Sequence, residues 1–469
     1  MTTISSVWQQ FTLAHLVPAR WRAGSLLYHC SGSLRNWRQG SWLMQWAEPL
    51  GLLLMCILFG LGPFVGTALI GVMLLACAGF WGLITLCDDP SATAFTPIHL
   101  LVLLYWGVAT VATAFSPVKE AALTGLIKLT LYLLLFVFMA RILRSPRLRS
   151  WFITFYLHVV LVVSVYGLRQ WFFGVDALAT WVDPTSAQSD LTRVYSYLGN
   201  PNLLAGYLLP AIAFSLGAVF AWQGWLPKAL AVTMVLVNSA CLVLTFSRGG
   251  WLGFIGLSFS FGILLLYWMS RYFSPFWQRW ALPVGVGGLA AAMVVAILIL
   301  PPLRDRAASM FAGRSDSSNN FRINVWTAVL KMIRDRPILG IGPGNNAFNK
   351  VYPLYMQPRF SALSAYSVVL EILVETGIIG LTTFLWLLTV TFNQAVIGLR
   401  HLRATNNPQG FWLIAATVSL VGMLTHGLVD TVWYRPQVNT LWWLMMAMIA
   451  SFYQRPEDQG LGTLMELDR

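Results

Sequence analysis

His426 and Asp430 are four positions apart in the segment HGLVDTVWYRP, a spacing that suits proton transfer. Residues four apart share one face of a helix, so the carboxylate could orient the imidazole as a general base. A structural pair at the end of a helix is the alternative interpretation. Either way, the pair needs a helix that runs through both residues.

Other polar groups lie at the ends of apolar runs in a way that suits anion binding. Arg248 is in the tight turn of LTFSRGGW, where a charge without a partner is costly. Asn200 and Asn202 flank a proline in SYLGNPNLLAGYL. Gly342 and Gly344 belong to PILGIGPGNNAF, and such a run can turn backbone N–H groups toward an anion. A plain structural turn is the alternative for these glycines.

Glu371 and Glu375 are also four apart, at the start of a further apolar run, and Arg169 lies near the end of an earlier one. Ionisable groups inside a membrane must face a cavity or one another, and they are functional candidates. Pairing of Arg169 with one of the glutamates is the alternative interpretation.

The composition indicates which kind of protein carries these groups. Hydrophobic residues make up 57% of the 469 residues, charged residues make up 10%, and the mean hydropathy is +0.68. Soluble proteins are roughly 45–50% apolar and about 25% charged. A water-soluble enzyme, a disordered chain and a disulfide scaffold are therefore excluded, and a polytopic membrane protein is predicted.

Charge and cysteine patterns exclude further classes. The formal net charge is +13, but the basic residues are scattered between apolar runs, so nucleic acid is not an expected partner. The five cysteines lack ligand spacing, and we expect neither a metal site nor a cofactor. The lipid bilayer is the expected partner along most of the chain.

Apolar runs of about 20 residues can cross the hydrocarbon core of a bilayer, and the sequence contains about twelve of them. The predicted spans are 46–64, 66–87, 98–115, 121–140, 151–173, 202–222, 229–247, 250–269, 282–300, 367–398, 411–431 and 437–453. A tight turn separates the first two, which could instead form one long broken helix. We predict an all-α integral membrane protein with about twelve transmembrane helices.

Basic residues are concentrated in the segments that lie on one side of such a bundle, so both termini are predicted to be cytoplasmic. The expected location is the plasma membrane, with a thylakoid membrane as the alternative. The chain then divides into a cytoplasmic segment, nine spans, a large extracytoplasmic loop, three spans and a cytoplasmic tail. These regions are 1–45, 46–300, 301–366, 367–453 and 454–469.

The large loop contains nine Lys or Arg against three Asp, which gives a net charge of +6. Its segment DSSNNFRINVWTAVLKMIRDRP predicts an amphipathic helix that is capped by Asn or Ser and ends at Pro337. Trp326, Val329, Leu330 and Ile333 form the predicted apolar face. We expect this helix either along the outer membrane surface or packed on the bundle.

The motifs resemble the O-antigen ligase and polymerase superfamily over roughly residues 200–435. The resemblance rests on SRGG, FRINVW, DRPILGIGPGNNAF and LSAYSVVLEILVETGIIGL. Nearly the whole chain is also similar to the cyanobacterial IctB family, through YSYLGNPNLLA, SRGGWLGF, DSSNNFRINVW, LSAYSV and HGLVDTVWYRP. IctB-type proteins carry the label of inorganic carbon, that is bicarbonate, transporters.

The superfamily resemblance implies transfer of a glycan from a polyprenyl diphosphate carrier to an acceptor, without a metal or nucleotide. It assigns Arg248 of SRGG and Arg322 of FRINVW to the diphosphate, with Arg314 as an additional contact. A planar guanidinium binds phosphate oxygens bidentately and stabilises the charge of a leaving diphosphate.

The sequence departs from the ligases at one position. Ligases have a His followed by Asn just before the LEILVE stretch, and that His is the favoured base, whereas Tyr366 and Ser367 stand here. A tyrosine with a pKa near about 10 is a poor base at neutral pH. Either Glu371, Glu375 or the pair of His426 and Asp430 replaces the histidine, or ligase chemistry is lost.

Three functions follow from these observations. The leading one is transfer of a lipid-linked diphosphate glycan from an external basic pocket, with inversion at the sugar. Transport of bicarbonate, or an accessory role in it, is the rival, because a basic pocket also attracts a small anion. A scaffold that binds a lipid diphosphate without turnover is the third.

Overall fold

The computed structural model describes residues 2–13, 40–87, 95–175, 193–299 and 313–453, with a few isolated positions between them. Most of the predicted N-terminal segment and all of the predicted tail 454–469 lie outside the described residues. Regular structure in the described ranges is helical, and no strand occurs within them.

We number the helices of seven or more residues in chain order. They are α1 (Thr2–Phe11), α2 (Ala47–Leu61), α3 (Thr67–Leu86), α4 (Pro97–Ala114), α5 (Lys119–Ile142), α6 (Pro146–Phe173), α7 (Pro201–Ala221), α8 (Trp225–Leu244), α9 (Arg248–Met269), α10 (Pro275–Ile299), α11 (Ser317–Asp335), α12 (Asn345–Val351), α13 (Val368–Ala404), α14 (Gly410–Gly427) and α15 (Pro436–Ser451). A single helical turn at Trp42–Gln45 precedes α2.

The predicted all-α membrane fold is confirmed. In the described part of the chain, nine helices are long and apolar enough to cross a bilayer, namely α3 to α9, α13 and α14. α2 is apolar but shorter, and it is separated from α3 by a turn at 62–66 instead of forming one broken helix with it. The crossing of the membrane by α2, α10 and α15 stays a prediction.

Helices α7 and α14 lie at the centre of the bundle. They are the most deeply buried of the long helices, and α14 packs against both α7 and α9. Glycines allow this approach: a Cβ on Gly249 would lie 2.7 Å from Cδ2 of His426, and a Cβ on Gly253 would lie 2.8 Å from the carbonyl oxygen of Gly422. The start of α9 is therefore held against the end of α14.

A kink at Gly377 divides α13. The φ of 67° and ψ of −167° at this residue are not helical. The N–H of Ile378 donates to the carbonyl of Pro337 at 2.9 Å, so the large loop supplies the hydrogen bond that the helix lacks. The predicted span 367–398 is thus interrupted, and Glu371 and Glu375 lie on the short segment before the kink.

The large loop packs onto the bundle through its own apolar cluster. The buried apolar side chains of α11 are Val325, Ala328, Val329 and Met332. They pack against α12, the start of α13 and the segment PILGIGPGNNAF (337–348), which we call the glycine-rich segment. The predicted face is wrong by one position, and Leu330 is 55% exposed. The reason is that α11 packs against these neighbouring loop segments rather than lying along a flat membrane surface.

Candidate functional site

Arg248 and Arg322, the arginines of the SRGG and FRINVW motifs, each form an ion pair with an aspartate. Nη2 of Arg248 lies 2.9 Å from Oδ1 of Asp316, and Nη2 of Arg322 lies 3.6 Å from Oδ2 of Asp430. The first pair joins the start of α9 to the start of α11. The second joins α11 to the segment after α14. Three parts of the chain therefore meet at one place.

Helix capping fixes the first ion pair. Oγ of Ser247 accepts the N–H of Gly250 at 3.2 Å, so Arg248 is the first residue of α9, where it is 7% exposed. Oδ1 of Asp316 accepts the N–H of Asn319 at 2.9 Å and so caps α11. The predicted cap of Asn or Ser is wrong, because the aspartate takes that position. One carboxylate therefore both caps α11 and binds Arg248.

His426 and Asp430 do not form the predicted hydrogen-bonded pair. α14 ends at Gly427, so Asp430 lies beyond the helix and the i, i+4 geometry is lost. Oδ1 of Asp430 accepts the N–H of Thr431 at 2.8 Å, while Oδ2 faces Arg322. Within the described residues, both ring nitrogens of His426 are buried without a hydrogen-bond partner. The imidazole is thus not oriented by Asp430.

Arg193 is a third arginine at this site, and it was not predicted from the sequence as a site residue. Burial lowers the pKa of Arg193 to about 10, and neighbouring Arg248 and Arg322 lower it as well, whereas Asp430 acts in the opposite direction. Arg193 therefore stays charged at neutral pH. Arg248, Arg322 and Asp430 thus lie near enough to Arg193 to act on its charge.

Asn200 and Asn202 hold this region in place. Oδ1 of Asn200 accepts the N–H of Asn202 at 2.8 Å and that of Leu203 at 3.1 Å, and thereby caps α7. Nη2 of Arg193 donates to Oδ1 of Asn202 at 3.1 Å, and Nε of Arg193 donates to the carbonyl of Thr245 at 3.0 Å. The position of Arg193 shortly before the SYLGNPN motif is the signal that could have identified it.

We call Arg193, Arg248 and Arg322, together with Asp316 and Asp430, the arginine cluster. Three guanidinium groups against two carboxylates leave a net charge of +1. Among the described atoms, Nε of Arg322 is buried and has no hydrogen-bond partner. A buried donor without an acceptor costs about 1–3 kcal/mol. The cluster therefore has donor capacity for an added acceptor, such as a phosphate oxygen.

Arg314 and Arg169 make their described contacts with residues outside this cluster. Nη1 of Arg314 donates to the side-chain oxygens of Asn320 and Asn324 at 3.2 and 3.3 Å, so this exposed arginine lies along α11. Arg169 is exposed and its guanidinium carbon lies 5.8 Å from the ring centroid of Tyr166 on α6. The alternative pairing of Arg169 with a glutamate does not occur in the described part of the structure.

Tyr366 borders the arginine cluster. Its ring meets the ring of Phe321 edge-on, with centroids 5.4 Å apart. Burial raises the pKa of Tyr366 above its usual range, and the nearby Asp430 adds to that effect, while Arg322 opposes it. The phenol is therefore protonated at neutral pH, and it is a poor proton acceptor.

The glycine-rich segment uses its N–H groups inside the protein. The N–H of Gly344 donates to Oε1 of Glu375 at 2.8 Å, and the N–H of Gly342 donates to the backbone carbonyl of Glu375 at 2.9 Å. A Cβ on Gly344 would lie 2.7 Å from Cα of Gly125. These observations favour the plain structural turn over an anion cradle.

Glu371 and Glu375 lie on the first segment of α13, which begins two residues after Tyr366. Oε2 of Glu371 accepts the N–H of Ala365 at 2.6 Å. Both glutamates line a cavity of about 160 Å³, together with Lys128. No group of three or more His, Cys, Asp or Glu in the described residues is placed to hold a metal ion.

The segment that supplies Arg248, Arg322 and Tyr366 matches a known family. Residues 230–385 match the O-antigen ligase family model (Wzy_C). The matched segment covers about a third of the chain, and Arg193 and Asp430 lie outside it. None of the curated proteins compared with the chain is significantly similar to it. The match supports the predicted superfamily of membrane glycan transferases.

The matched segment 230–385 does not build the arginine cluster alone. It contributes Arg248 at the start of α9, Asp316 at the cap of α11 and Arg322 on α11, whereas the segment before α7 supplies Arg193 and the segment after α14 supplies Asp430. Segments that adjoin the two most deeply buried long helices, α7 and α14, thus complete the site.

Proposed function

We propose that the protein binds a polyprenyl-diphosphate-linked glycan at the arginine cluster and transfers the glycan to an acceptor hydroxyl. The observation that carries the proposal is the convergence of Arg193, Arg248 and Arg322 from separate parts of the chain. Their charge exceeds that of the two aspartates, and Nε of Arg322 lacks a partner among the described residues. A diphosphate supplies both the negative charge and the acceptor oxygens that this arrangement lacks.

Diphosphate binding begins at Arg322 in this proposal. The separation of 3.6 Å between Arg322 and Asp430 is longer than a good charge-assisted hydrogen bond of about 2.7–2.9 Å, so this pair opens more readily than the pair of Arg248 and Asp316 at 2.9 Å. A phosphate oxygen then takes the place of the Asp430 carboxylate on Arg322.

Transfer follows as a direct displacement. The acceptor hydroxyl oxygen attacks the anomeric carbon, and the bond from that carbon to the diphosphate oxygen breaks with inversion. The electron pair leaves with the diphosphate, where the guanidinium groups stabilise the added charge. The hydroxyl proton passes to the carboxylate of Asp430, since Tyr366 is protonated and the ring nitrogens of His426 are buried.

The proposal also includes the subfamily of the protein and its orientation in the membrane. We infer an IctB-type member, with both termini cytoplasmic and the arginine cluster on the outer side of the plasma membrane. Bicarbonate transport is the second candidate, and the donor capacity of Arg322 is the observation that favours it. Uptake of labelled bicarbonate into liposomes that contain the purified protein, compared with empty liposomes, distinguishes the two.

Binding of undecaprenyl diphosphate to the purified protein tests the proposal, together with surface glycan composition in cells. We expect Arg248→Ala and Arg322→Ala to weaken binding at least tenfold and to abolish glycan transfer. Arg334→Ala is the matched control, because Arg334 is an exposed arginine on the same helix as Arg322. Unchanged binding and unchanged surface glycan in both variants, at normal protein levels, would overturn the proposal. Binding without any transfer would identify a scaffold.

A further inference from the structure

The cavity lined by Glu371 and Glu375 is distinct from the arginine cluster, because no residue of that cluster lines it. It has a volume of about 160 Å³ and is lined by α4, α5, both parts of α13, the segment after α14, α15 and the glycine-rich segment. An engineered cavity of about 150 Å³ holds one benzene molecule. The cavity therefore has room for about one six-membered ring.

The cavity contains polar groups without partners. Thr431 is 3% exposed, and its Oγ1 is buried without a hydrogen-bond partner in the described structure. Asn439 donates from Nδ2 to the carbonyl of Trp433 at 2.8 Å, but its buried Oδ1 also lacks a partner among the described residues. Both side chains line the cavity. Native proteins rarely leave such groups unpaired, so both atoms are available to hydrogen-bond a polar ligand.

The glutamates of the cavity are held in fixed positions. Glu371 accepts the N–H of Ala365 at 2.6 Å, and Glu375 accepts the N–H of Gly344 at 2.8 Å. Each of these bonds uses one carboxyl oxygen and leaves the carboxyl group able to bond a ligand hydroxyl through the other. These contacts hold the two carboxyl groups at the cavity wall before a ligand arrives.

Aromatic rings form much of the remaining wall. Trp433 and Trp442 lie with ring centroids 3.9 Å apart, and Phe384 packs beside Trp442 at 6.1 Å. Tyr105 and Tyr132 line the cavity from α4 and α5. Aromatic walls with a few fixed polar groups are typical of small-molecule sites, and they suit a ligand with both C–H faces and hydroxyl groups.

The charges in the cavity do not suit an anion. Two carboxyl groups stand beside the single ammonium group of Lys128, which is exposed and so lies at the open side of the cavity. The surplus positive charge of the arginine cluster is not repeated here. A neutral ligand that is rich in hydroxyl groups fits better than phosphate or bicarbonate.

The cavity and the arginine cluster are neighbours. Asp430 pairs with Arg322, whereas the next residue, Thr431, lines the cavity. Tyr366 borders the arginine cluster, whereas Val368, two residues later, lines the cavity. A glycan whose diphosphate lies on the arginine cluster can therefore extend a sugar toward the cavity.

We infer that the cavity lined by Glu371, Glu375, Thr431 and Trp433 binds one neutral pyranose ring. This inference rests on the proposed function only in taking the ring to be part of the glycan substrate. The carboxyl groups, the Thr431 hydroxyl and the Asn439 amide bond the sugar hydroxyls, and the rings pack against its C–H face.

Equilibrium binding of radiolabelled methyl pyranosides of glucose, galactose and mannose to the purified protein tests this inference. We expect saturable binding of at least one of them, weakened at least tenfold by Thr431→Val. This variant removes an unpartnered hydroxyl at nearly constant volume, so the thermal midpoint of the free protein is expected to stay level or rise. Weaker binding in a protein of equal or greater stability identifies a ligand contact and not a folding defect.

Two further variants sharpen the test. Glu375→Gln keeps an oxygen for the N–H of Gly344 and a group for a sugar hydroxyl, so it is expected to bind better than Glu375→Leu. Arg322→Ala is expected to bind the sugars as the wild type does while losing undecaprenyl diphosphate. The inference of sugar binding can therefore hold even if the arginine cluster is found not to bind a diphosphate. No saturable binding of any of the three sugars, or equal binding by Thr431→Val, would overturn the inference.

Discussion

Oδ2 of Asp430 lies 3.6 Å from Nη2 of Arg322, and neither Oδ2 of Asp430 nor Nε of Arg322 has a hydrogen-bond partner among the described residues. The two side chains thus attract each other without satisfying all of their hydrogen-bonding groups. Such a pair can be separated by ligand binding. A phosphate oxygen can replace Asp430 on Arg322, and the released carboxylate of Asp430 can then accept a proton.

Asp430→Asn is expected to affect binding and transfer in opposite directions. The variant removes the carboxylate that competes for Arg322, so undecaprenyl diphosphate binds more tightly, by about tenfold for each 1.4 kcal/mol gained. It also removes the proposed proton acceptor, so transfer slows by about 10²- to 10⁴-fold. Binding and single-turnover transfer measured on the same preparation check both effects. Parallel loss of binding and transfer would contradict the exchange.

Asp316 has two separable roles. Asp316→Asn keeps a side-chain oxygen that can cap α11 and accept from Arg248, whereas Asp316→Ala loses both contacts. Loss of an N-cap costs about 1 kcal/mol. We therefore expect the thermal midpoint to fall from wild type to Asp316→Asn and further to Asp316→Ala.

Added undecaprenyl diphosphate distinguishes the contact of Asp316 with Arg248 from its role as the cap of α11. Because Asp316→Asn leaves the charge of Arg248 less compensated, the ligand is expected to raise the thermal midpoint of this variant more than that of the wild type. Equal midpoints for the Asn and Ala variants would show that the cap contributes nothing.

The sequence predicted the helices better than it predicted the site. Apolar runs identify membrane helices because the backbone must satisfy its hydrogen bonds within the segment. The kink at Gly377 escapes such a pattern, since it depends on the carbonyl of Pro337 from a distant loop. The predicted apolar face of α11 was wrong by one position for a similar reason, because α11 packs against segments of the loop that are distant in sequence.

Within the site, residues in short motifs were predictable and residues placed by tertiary contacts were not. Arg248 and Arg322 stand in recognisable motifs. Arg193 is placed by the side chain of Asn202 and the carbonyl of Thr245, and neither contact has a sequence spacing that marks it. The predicted pair of His426 and Asp430 failed because the helix ends between them.

Tyr366→Phe is expected to retain transfer. Since burial raises the pKa of Tyr366, the phenol stays protonated up to and beyond its ordinary value of about 10, and ionisation of this residue does not shape the activity between pH 6 and pH 9. Transfer rates of the variant and the wild type across this pH range are expected to follow the same curve. Loss of transfer together with loss of an alkaline rise would identify Tyr366 as the base.

Gly377→Ala is expected to destabilise the protein, because Gly377 has a φ of 67° and a Cβ there would overlap the carbonyl group of Ile338. Strained backbone of this kind costs about 1–3 kcal/mol, and displacing Ile338 adds to that cost. The position of the segment that carries Glu371 and Glu375 should change as well. Methyl pyranoside binding is therefore expected to weaken together with the thermal midpoint.

Gly262→Ala is the matched control for the kink. In the described structure, a Cβ on Gly262 meets no atom within 4 Å, and this glycine lies inside α9. Alanine in a helix is about 1 kcal/mol more favourable than glycine, so this variant is expected to be as stable as the wild type or more stable. If both alanine variants lowered the thermal midpoint equally, the glycine at 377 would not be required by its conformation, and α13 could pass through that position without a kink.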